Sequence, residues 1–159
     1  MASSSTSNSN LTFINRLRRE CLDLQQNPVP FTCAGPTADS LKQWLVVFEG
    51  ETDSLYEGGT FFALLTFDDD YPFTPPTLEF KTRIYHCNIY QSTGLVKHDI
   101  FDKNWSPTVT IRQIIQKVAK LLVQCEPDHC AMKELGLQYK HERNDYERMA
   151  RLWTKNFAR

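Results

Sequence analysis

Two candidate nucleophiles stand in the longest stretch of the chain without a regular hydrophobic period, residues 82–109. They are Cys87 and Lys97. A cysteine thiol, with a usual pKa near ~8.5, is both a good nucleophile and a good leaving group, as acyl transfer with turnover requires. A lysine amine, with a usual pKa near ~10.4, is mostly protonated at neutral pH, and its acyl product is a stable amide. Lys97 can therefore trap an acyl group but cannot turn over as a thiol does.

The other cysteines indicate packing. Cys21 and Cys125 fall on the apolar faces of predicted helices, and Cys33 precedes an Ala-Gly-Pro sequence beside a predicted strand. Cys125, His129 and Cys130 match no common spacing of zinc ligands, and no second pair of ligands accompanies them. We therefore expect free thiols, no metal and no other cofactor.

Size, composition and charge exclude several classes of function. The chain has 159 residues, 41% of them apolar, and a formal net charge of −1. These values fit one globular domain and argue against a nucleic-acid partner. No apolar run is long enough for a transmembrane helix, so no membrane partner is expected. Residues 1–10 are rich in Ser and Asn and lack the features of a signal peptide. We expect them to form a disordered tail on a cytoplasmic or nuclear protein.

Amphipathic periodicity predicts helices at both ends of the chain. One helix would begin after Asn10, and a second, strongly apolar helix would begin at Ile111 with Thr110 as its N-cap. Residues 131–157 indicate one or two further helices. A break in them is expected near one of two positions, Gly136 or His141.

Short runs rich in aromatic and β-branched residues predict strands between these helices. They are residues 41–48, 60–67 and 77–81. A loop with three prolines, residues 68–76, separates the last two runs. Strands bounded by turns in this way favour an antiparallel meander. With the helices, the pattern is that of an α+β domain whose helices pack on one face of an antiparallel sheet.

Three motifs resemble those of the ubiquitin-conjugating enzyme (UBC) family. They are YPFTPP from Tyr71, TRIYHCNI from Thr82 and NWSPTVTI from Asn104. The resemblance covers residues 11–159, which would form one UBC core domain after the tail of residues 1–10. It implies an N-terminal helix, a four-stranded antiparallel meander, a long active-site loop and C-terminal helices packed on one side.

The resemblance places Lys97 where the family has its thioester-forming cysteine. Gly94 and Asp99 keep the register of the family motif on either side of Lys97. Cys87 stands where the family has the proline of a His-Pro-Asn turn. We expect Cys87 to be a small residue that fills this turn. The alternative is that Cys87 acts as the nucleophile in place of the missing cysteine.

The resemblance also implies supporting roles for three polar residues. Asn88 matches the residue that stabilises the oxyanion in acyl transfer, a role that amide donors suit. Asp99 and Asp128 match acidic positions that position or deprotonate the incoming lysine. Judged alone, each of the three has a simpler interpretation as a turn or cap residue.

A ligase-binding surface is implied as well. Arg16, on the first helix, matches a position shared by ligase and activating enzyme, whereas Phe73, Ser106 and Pro107 match loop positions where RING and HECT ligases dock. An exposed Phe73 favours binding, and burial of Phe73 in the domain is the alternative. The implied partners are ubiquitin or a ubiquitin-like protein, a ubiquitin-activating enzyme and a RING or HECT ligase.

Two hypotheses follow from these residues. In the first, the chain is a catalytically inactive variant that acts as a ligase-binding decoy or scaffold, because its departures from the family pattern cluster near the site. These departures are Cys87, Lys97, His98 and His129. In the second, the chain is an active conjugating enzyme whose cysteine was exchanged for Lys97, which would trap an amide-linked intermediate. A metal-binding or nucleic-acid module has little support.

Overall fold

The structure is a computed structural model that describes residues 2–159, with side chains described from residue 11 onward. The helices are α1 (Ala2–Gln26), α2 (Ile111–Val123), α3 (Lys133–His141) and α4 (Arg143–Trp153). The strands are β1 (Thr32–Pro36), β2 (Gln43–Glu49), β3 (Thr60–Thr66) and β4 (Thr77–Phe80). Shorter helical turns are Asp99–Phe101, Pro127–His129 and Thr154–Ala158. This order confirms the predicted α+β class.

The four strands form one antiparallel sheet in the order β1-β2-β3-β4. Alternate side chains of β2 are buried, namely Trp44, Val46 and Phe48, whereas Leu45 between them and Glu49 at the end of the strand are exposed. Such alternation follows when one face of a sheet packs against the core and the other does not. The predicted meander is thus confirmed.

Strand β1 is the one that hydrophobic periodicity does not predict. Its sequence contains Gly35 and Pro36, which are typical of turns, but β1 pairs only with β2 and lies at the edge of the sheet. An edge strand tolerates proline, because one row of its amides makes no ladder hydrogen bonds. Cys33 is exposed, so the expectation that it packs in the domain is wrong. The alternation of side chains along β1 places Cys33 on the solvent-exposed face of the sheet.

Helix α2 supplies a continuous apolar face to the core. Its buried residues are Ile111, Ile114, Ile115, Val118, Leu121 and Leu122. The hydroxyl of Thr110 accepts from the Gln113 amide (3.2 Å), and the Gln113 side chain accepts from the Thr110 amide (3.0 Å). This reciprocal capping box satisfies N-terminal amide groups of the helix. The predicted cap and apolar stripe are both confirmed.

Helix α1 begins at Ala2, before the expected cap Asn10. Residues 2–10 contain no Pro or Gly that would stop a helix, so the boundary expected from capping preference is wrong. Leu17 and Leu24 bury the predicted apolar face. Met1 and the side chains of residues 2–10 lie outside the described part of the chain, and a tail separate from the core stays a prediction there.

The C-terminal helices α3 and α4 are separated at Glu142, next to His141. Gly136, the other predicted break, lies inside α3 and is buried. A Cβ atom at Gly136 would lie 2.8 Å from the Cys130 sulfur and 3.0 Å from the Pro127 carbonyl oxygen. Gly136 therefore permits close packing of the preceding loop and does not end the helix.

Candidate functional site

The segment that carries Lys97 is fixed by backbone contacts to two neighbours. The Phe80 amide donates to the Gly94 carbonyl (2.7 Å), and the Lys97 amide donates to the Asn88 carbonyl (2.8 Å). Gly94 has a φ of 79°, and a Cβ atom there would lie 2.0 Å from the Phe80 carbonyl oxygen. Only glycine allows that turn at that distance. The main chain thus holds Lys97 beside Asn88.

The turn that contains Asn88 is held by a buried imidazole. His86 is 1% exposed, its Nδ1 accepts from the Asn88 amide (3.0 Å), and its Nε2 donates to the Leu121 carbonyl (2.8 Å). Burial lowers the pKa of His86 to about 4, so the ring is neutral at pH 7. A neutral ring with its proton on Nε2 satisfies both hydrogen bonds.

The side chain of Asn88 clamps this turn to the loop after α2. Its Nδ2 donates to the carbonyls of Glu126 (3.0 Å) and His129 (3.3 Å), and its Oδ1 accepts from the Glu126 amide (2.9 Å). An amide nitrogen carries two protons, so both donors are engaged. A developing oxyanion would have to displace one of these carbonyls. The oxyanion role inferred from the resemblance stays a prediction.

Cys87 fills the same turn from inside. It is 0% exposed, and its backbone amide donates to the Tyr146 hydroxyl (3.1 Å). The neighbouring Cys125 thiol, together with burial, raises the pKa of the Cys87 thiol. A buried and protonated thiol is a poor nucleophile towards a large acyl donor. The geometry therefore supports the interpretation of Cys87 as a packing residue and argues against it as an alternative nucleophile.

The side chain of Lys97 is exposed, and its Nζ lies 3.4 Å from the Cys130 carbonyl oxygen. The next residue, His98, faces inward: its Nε2 lies 3.5 Å from a Glu126 carboxylate oxygen. Lys97 and His98 thus both contact the loop after α2. The amine at position 97 is the reactive group that this arrangement presents to solvent.

The two candidate carboxylates are paired with lysines other than Lys97. Asp99 lies 3.5 Å from the Lys103 ammonium, and Asp128 forms a salt bridge with Lys140. The hydrogen bond from Lys140 and its charge lower the pKa of the exposed Asp128 carboxyl. Asp128 lies in the same loop as Cys130, whose carbonyl Lys97 reaches. The structure thus brings Lys97, Asn88 and the loop of Asp128 together.

The expected docking residues lie on two loops that contact each other. Phe73 is 79% exposed, so the alternative that it is buried in the domain is wrong. Pro107 is exposed and Ser106 is half-buried. The indole nitrogen of Trp105 donates to the Pro72 carbonyl (3.1 Å), which joins the two loops. An exposed Phe beside a proline-bearing second loop forms an apolar surface suited to a protein partner.

Arg16 is turned partly towards its own domain. Its guanidinium donates to the Val109 carbonyl (3.0 Å), lies 3.5 Å from a Glu20 carboxylate oxygen and stands 5.3 Å from the centroid of the Tyr71 ring. The side chain is 25% exposed. Arg16 therefore supports the docking loops from behind as well as contributing to the surface of α1.

Glu20 is a positioning residue that sequence reasoning missed. One carboxylate oxygen accepts from the Ile111 amide (2.8 Å) at the start of α2, and the other accepts from the Tyr71 hydroxyl (2.8 Å). Burial, and then the Glu20 charge, raise the pKa of Tyr71, which keeps this hydroxyl a donor. Glu20 belongs to the polar face of α1, which the sequence pattern predicts to face solvent. That pattern therefore does not indicate that its carboxylate contacts Ile111 and Tyr71 of the same domain.

The described residues contain neither a cluster suited to a metal ion nor a helix suited to a membrane. Within residues 2–159, no three His, Cys, Asp or Glu side chains are grouped so that they could hold a metal ion. In the same part of the chain, no helix has the length and apolar character needed to cross a bilayer.

Comparison with known proteins agrees with this fold. The family model described as ubiquitin-conjugating enzyme matches residues 16–154. A solved E2 domain of a ubiquitin conjugating enzyme from Toxoplasma gondii superposes with a TM-score of 0.82 at 30% sequence identity, covering 91% of this chain and 98% of that one. The expected UBC fold is confirmed, and the chain belongs to the ubiquitin-conjugating enzyme family.

Proposed function

We propose that this member of the ubiquitin pathway is catalytically inactive and acts as a ligase-binding decoy or scaffold. The observation that carries the proposal is the exposed Lys97 amine, held beside Asn88 by the Gly94 turn. The family resemblance assigns that position to the thioester-forming cysteine. An amine at this position yields an amide, which does not release its acyl group to a second lysine.

The neighbouring thiols do not replace the missing nucleophile. Cys87 is fully buried, Cys125 is 9% exposed, and the half-buried Cys130 packs its sulfur against Gly136 of α3. A thiol that carries ubiquitin must be reached by the activating enzyme, and burial disfavours all three sulfurs for this role. Lys97 is the exposed nucleophile among these groups.

The docking surface supports retained binding to a ligase. Phe73 projects from the loop after β3, and the Trp105–Pro72 hydrogen bond fixes that loop against the loop of Pro107. Docking of a ligase depends on the shape of these loops and on an apolar contact, and neither requires a catalytic thiol. A RING-type ligase is the partner that the resemblance favours, with ubiquitin and the activating enzyme as the implied upstream partners.

A charging assay tests the missing chemistry. The purified chain is incubated with activating enzyme, ATP and ubiquitin, and the products are separated with and without reductant. We expect no conjugate that reductant removes, because position 97 offers an amine. A reductant-sensitive conjugate would contradict the proposal. Its loss in Cys87→Ser would then identify Cys87 as the nucleophile.

A binding assay tests the decoy role separately. We expect measurable binding to members of a panel of RING-type ligases, and Phe73→Ala should lower affinity by about 1–3 kcal/mol if Phe73 is an anchor. Phe62→Ala is the matched control, since Phe62 is an exposed Phe of β3, outside both docking loops. Equal affinity for both variants and the wild type, or no binding to any ligase, would contradict the decoy role.

A further inference from the structure

The amine of Lys97 contacts a carbonyl group and not a carboxylate. Its Nζ donates to the Cys130 carbonyl oxygen at 3.4 Å. Four other lysines, by contrast, form ion pairs with carboxylates, namely Lys42, Lys81, Lys103 and Lys140. An ion pair stabilises the ammonium form of a lysine, which cannot attack, whereas a carbonyl accepts a hydrogen bond from either form. The neighbours of Lys97 therefore do not oppose the loss of its proton as a carboxylate would.

The main chain holds this amine at one place on the surface. The Val96 amide donates to the Leu78 carbonyl of β4 (3.0 Å), and the Lys97 amide donates to the Asn88 carbonyl (2.8 Å). The Lys97 side chain beyond these contacts is exposed, whereas the neighbouring His98 side chain faces inward and is 10% exposed. A nucleophile on a fixed stem loses less freedom when it reacts than one on a mobile segment.

Position in the fold distinguishes Lys97 from the other lysines that form no ion pair in the described part of the chain. Those lysines lie on α2, on α3 and in the C-terminal helical turn, and they are Lys117, Lys120, Lys133 and Lys155. The family resemblance places the group that receives ubiquitin at position 97. The inference below therefore rests on the proposed function, since it takes position 97 as the place to which the activating enzyme brings its thioester.

We propose that Lys97 is a modification site that takes the ubiquitin acyl group from the thioester of the activating enzyme. The neutral Lys97 nitrogen attacks the thioester carbonyl carbon, so a nitrogen–carbon bond forms and the carbon–sulfur bond breaks. The departing thiolate takes the proton that the nitrogen releases, and the products are an isopeptide on Lys97 and a free thiol on the activating enzyme. The activating enzyme has already consumed ATP in making its thioester, so the step needs no further reactant.

The surroundings predict a slow transfer and a permanent product. Both protons of the Asn88 Nδ2 are engaged by the Glu126 and His129 carbonyls, so Asn88 gives no hydrogen bond to a developing oxyanion. The amide that forms does not pass its acyl group to a second amine. The chain would thus be modified once at this site and would carry ubiquitin on a domain whose docking loops, with Phe73, are unchanged.

Peptide mapping after an activation reaction tests the modification site. The full chain is incubated with activating enzyme, ATP and ubiquitin, treated with reductant and digested with trypsin. In the unmodified chain, cleavage after Arg83 and Lys97 gives peptide 84–97. We expect peptide 84–103 with a ubiquitin remnant on Lys97, because trypsin does not cleave after an acylated lysine and its next site is Lys103. Detection of peptide 84–97 alone would overturn the proposal.

Two matched variants assign the conjugate to one lysine. Lys97→Arg keeps the positive charge but removes the amine, so it should lower the yield of reductant-resistant conjugate by at least about tenfold. Lys133→Arg removes an exposed lysine at the start of α3, and its yield should stay within about twofold of wild type. No loss in Lys97→Arg, or an equal loss in both variants, would overturn the proposal. Circular dichroism checks that each variant is folded.

The same reaction separates failure of this inference from failure of the proposed function. An active conjugating enzyme run in parallel shows that the activating enzyme and ubiquitin are competent. With that control positive, absence of a reductant-resistant conjugate overturns the role of Lys97 as acceptor and leaves the proposed inactivity standing. A reductant-sensitive conjugate contradicts the proposed inactivity, and the peptide map then decides the acceptor role on its own.

Discussion

His86 holds the turn beside Lys97 through both of its ring nitrogens. The Nδ1 atom accepts the Asn88 amide proton, so a proton added at Nδ1 would face another donor. The ring also stacks on Tyr56, with centroids 5.9 Å apart, and is 1% exposed. Charging this imidazole therefore costs both a hydrogen bond and the desolvation of a cation.

We predict that the free energy of unfolding falls as the pH falls from 7 to 5. The pKa of His86 is about 4 when folded and about 6.5 in the unfolded chain, so the unfolded state binds more protons in that window. The contribution is complete above pH 6.5 and is lost as the pH falls towards 4, at most about 1.4 kcal/mol per pH unit. Integrated from pH 7 to 5, this gives about 2 kcal/mol.

Urea denaturation at a series of pH values measures this effect. His86→Gln keeps a donor and an acceptor but does not titrate, so its dependence on pH should be flatter by about 2 kcal/mol between pH 7 and 5. An unchanged slope in His86→Gln would show that other groups cause the acid sensitivity.

Single residues also show where sequence reasoning ends. Lys97 lies beside Asn88 through a main-chain contact between residues close in sequence, and a short motif can encode such local geometry. The partners of the Asn88 amide lie about 40 positions further along the chain, at Glu126 and His129. Local patterns carry no information about such contacts.

At the scale of elements, Glu20 connects three parts of the molecule. It belongs to α1, accepts from the first residue of α2 and holds Tyr71 in the loop of Phe73. A carboxylate at a helix N-terminus is also favoured by the helix dipole. The side chain is 11% exposed, so little solvent competes for these contacts. Glu20 thus anchors the docking loop to the helical layer.

We predict that Glu20→Ala destabilises the fold by about 2 kcal/mol, since it leaves the Ile111 amide and the Tyr71 hydroxyl without their acceptor. Glu49→Ala is the matched control: Glu49 is exposed at the end of β2, and its loss should change stability by less than about 0.5 kcal/mol. Urea denaturation measures both. Equal stability of the two variants would show that Glu20 does not anchor the loop.

The elements themselves were largely predictable, with informative exceptions. The α2 cap and the alternation of β2 and β3 are local patterns, and the structure confirms them. The edge strand β1 was hidden by its Gly and Pro, which only pairing with β2 makes compatible with a strand. Gly136 was ambiguous because glycine serves both to end a helix and to admit close packing, and only the position of Cys130 decides between them.

At the scale of the whole molecule, the fold is preserved while the position expected for the nucleophile offers an amine. The match over residues 16–154 and the TM-score of 0.82 show an intact family domain. An intact fold keeps the docking loops and α1 in place, and the chemistry depends on a few side chains within it. The remaining question is whether a thiol at position 97 is enough to restore activity.

We predict that Lys97→Cys restores a reductant-sensitive conjugate with ubiquitin but discharges it slowly to free lysine. Position 97 is exposed and held by main-chain contacts, so the exchange should alter stability by less than about 0.5 kcal/mol. Slow discharge follows because both Asn88 donors are engaged and because Asp99 and Asp128 are paired with Lys103 and Lys140. The lack of one oxyanion donor typically costs about 10²–10³ in rate.

A single-turnover assay measures the rate at which the ubiquitin conjugate is discharged. Lys97→Arg is the control that cannot form a thioester, and an active conjugating enzyme is run in parallel. Discharge as fast as that enzyme would favour the second hypothesis, an active parent in which one cysteine was exchanged for lysine. Failure to charge at all, in a variant that remains folded, would show that position 97 is not where the acyl group is received. If the chain is an inactive variant, Lys97→Cys should form the conjugate but discharge it at a rate about 10²–10³ below that of the active enzyme. The side chains around position 97 would then stabilise the fold and not the transition state.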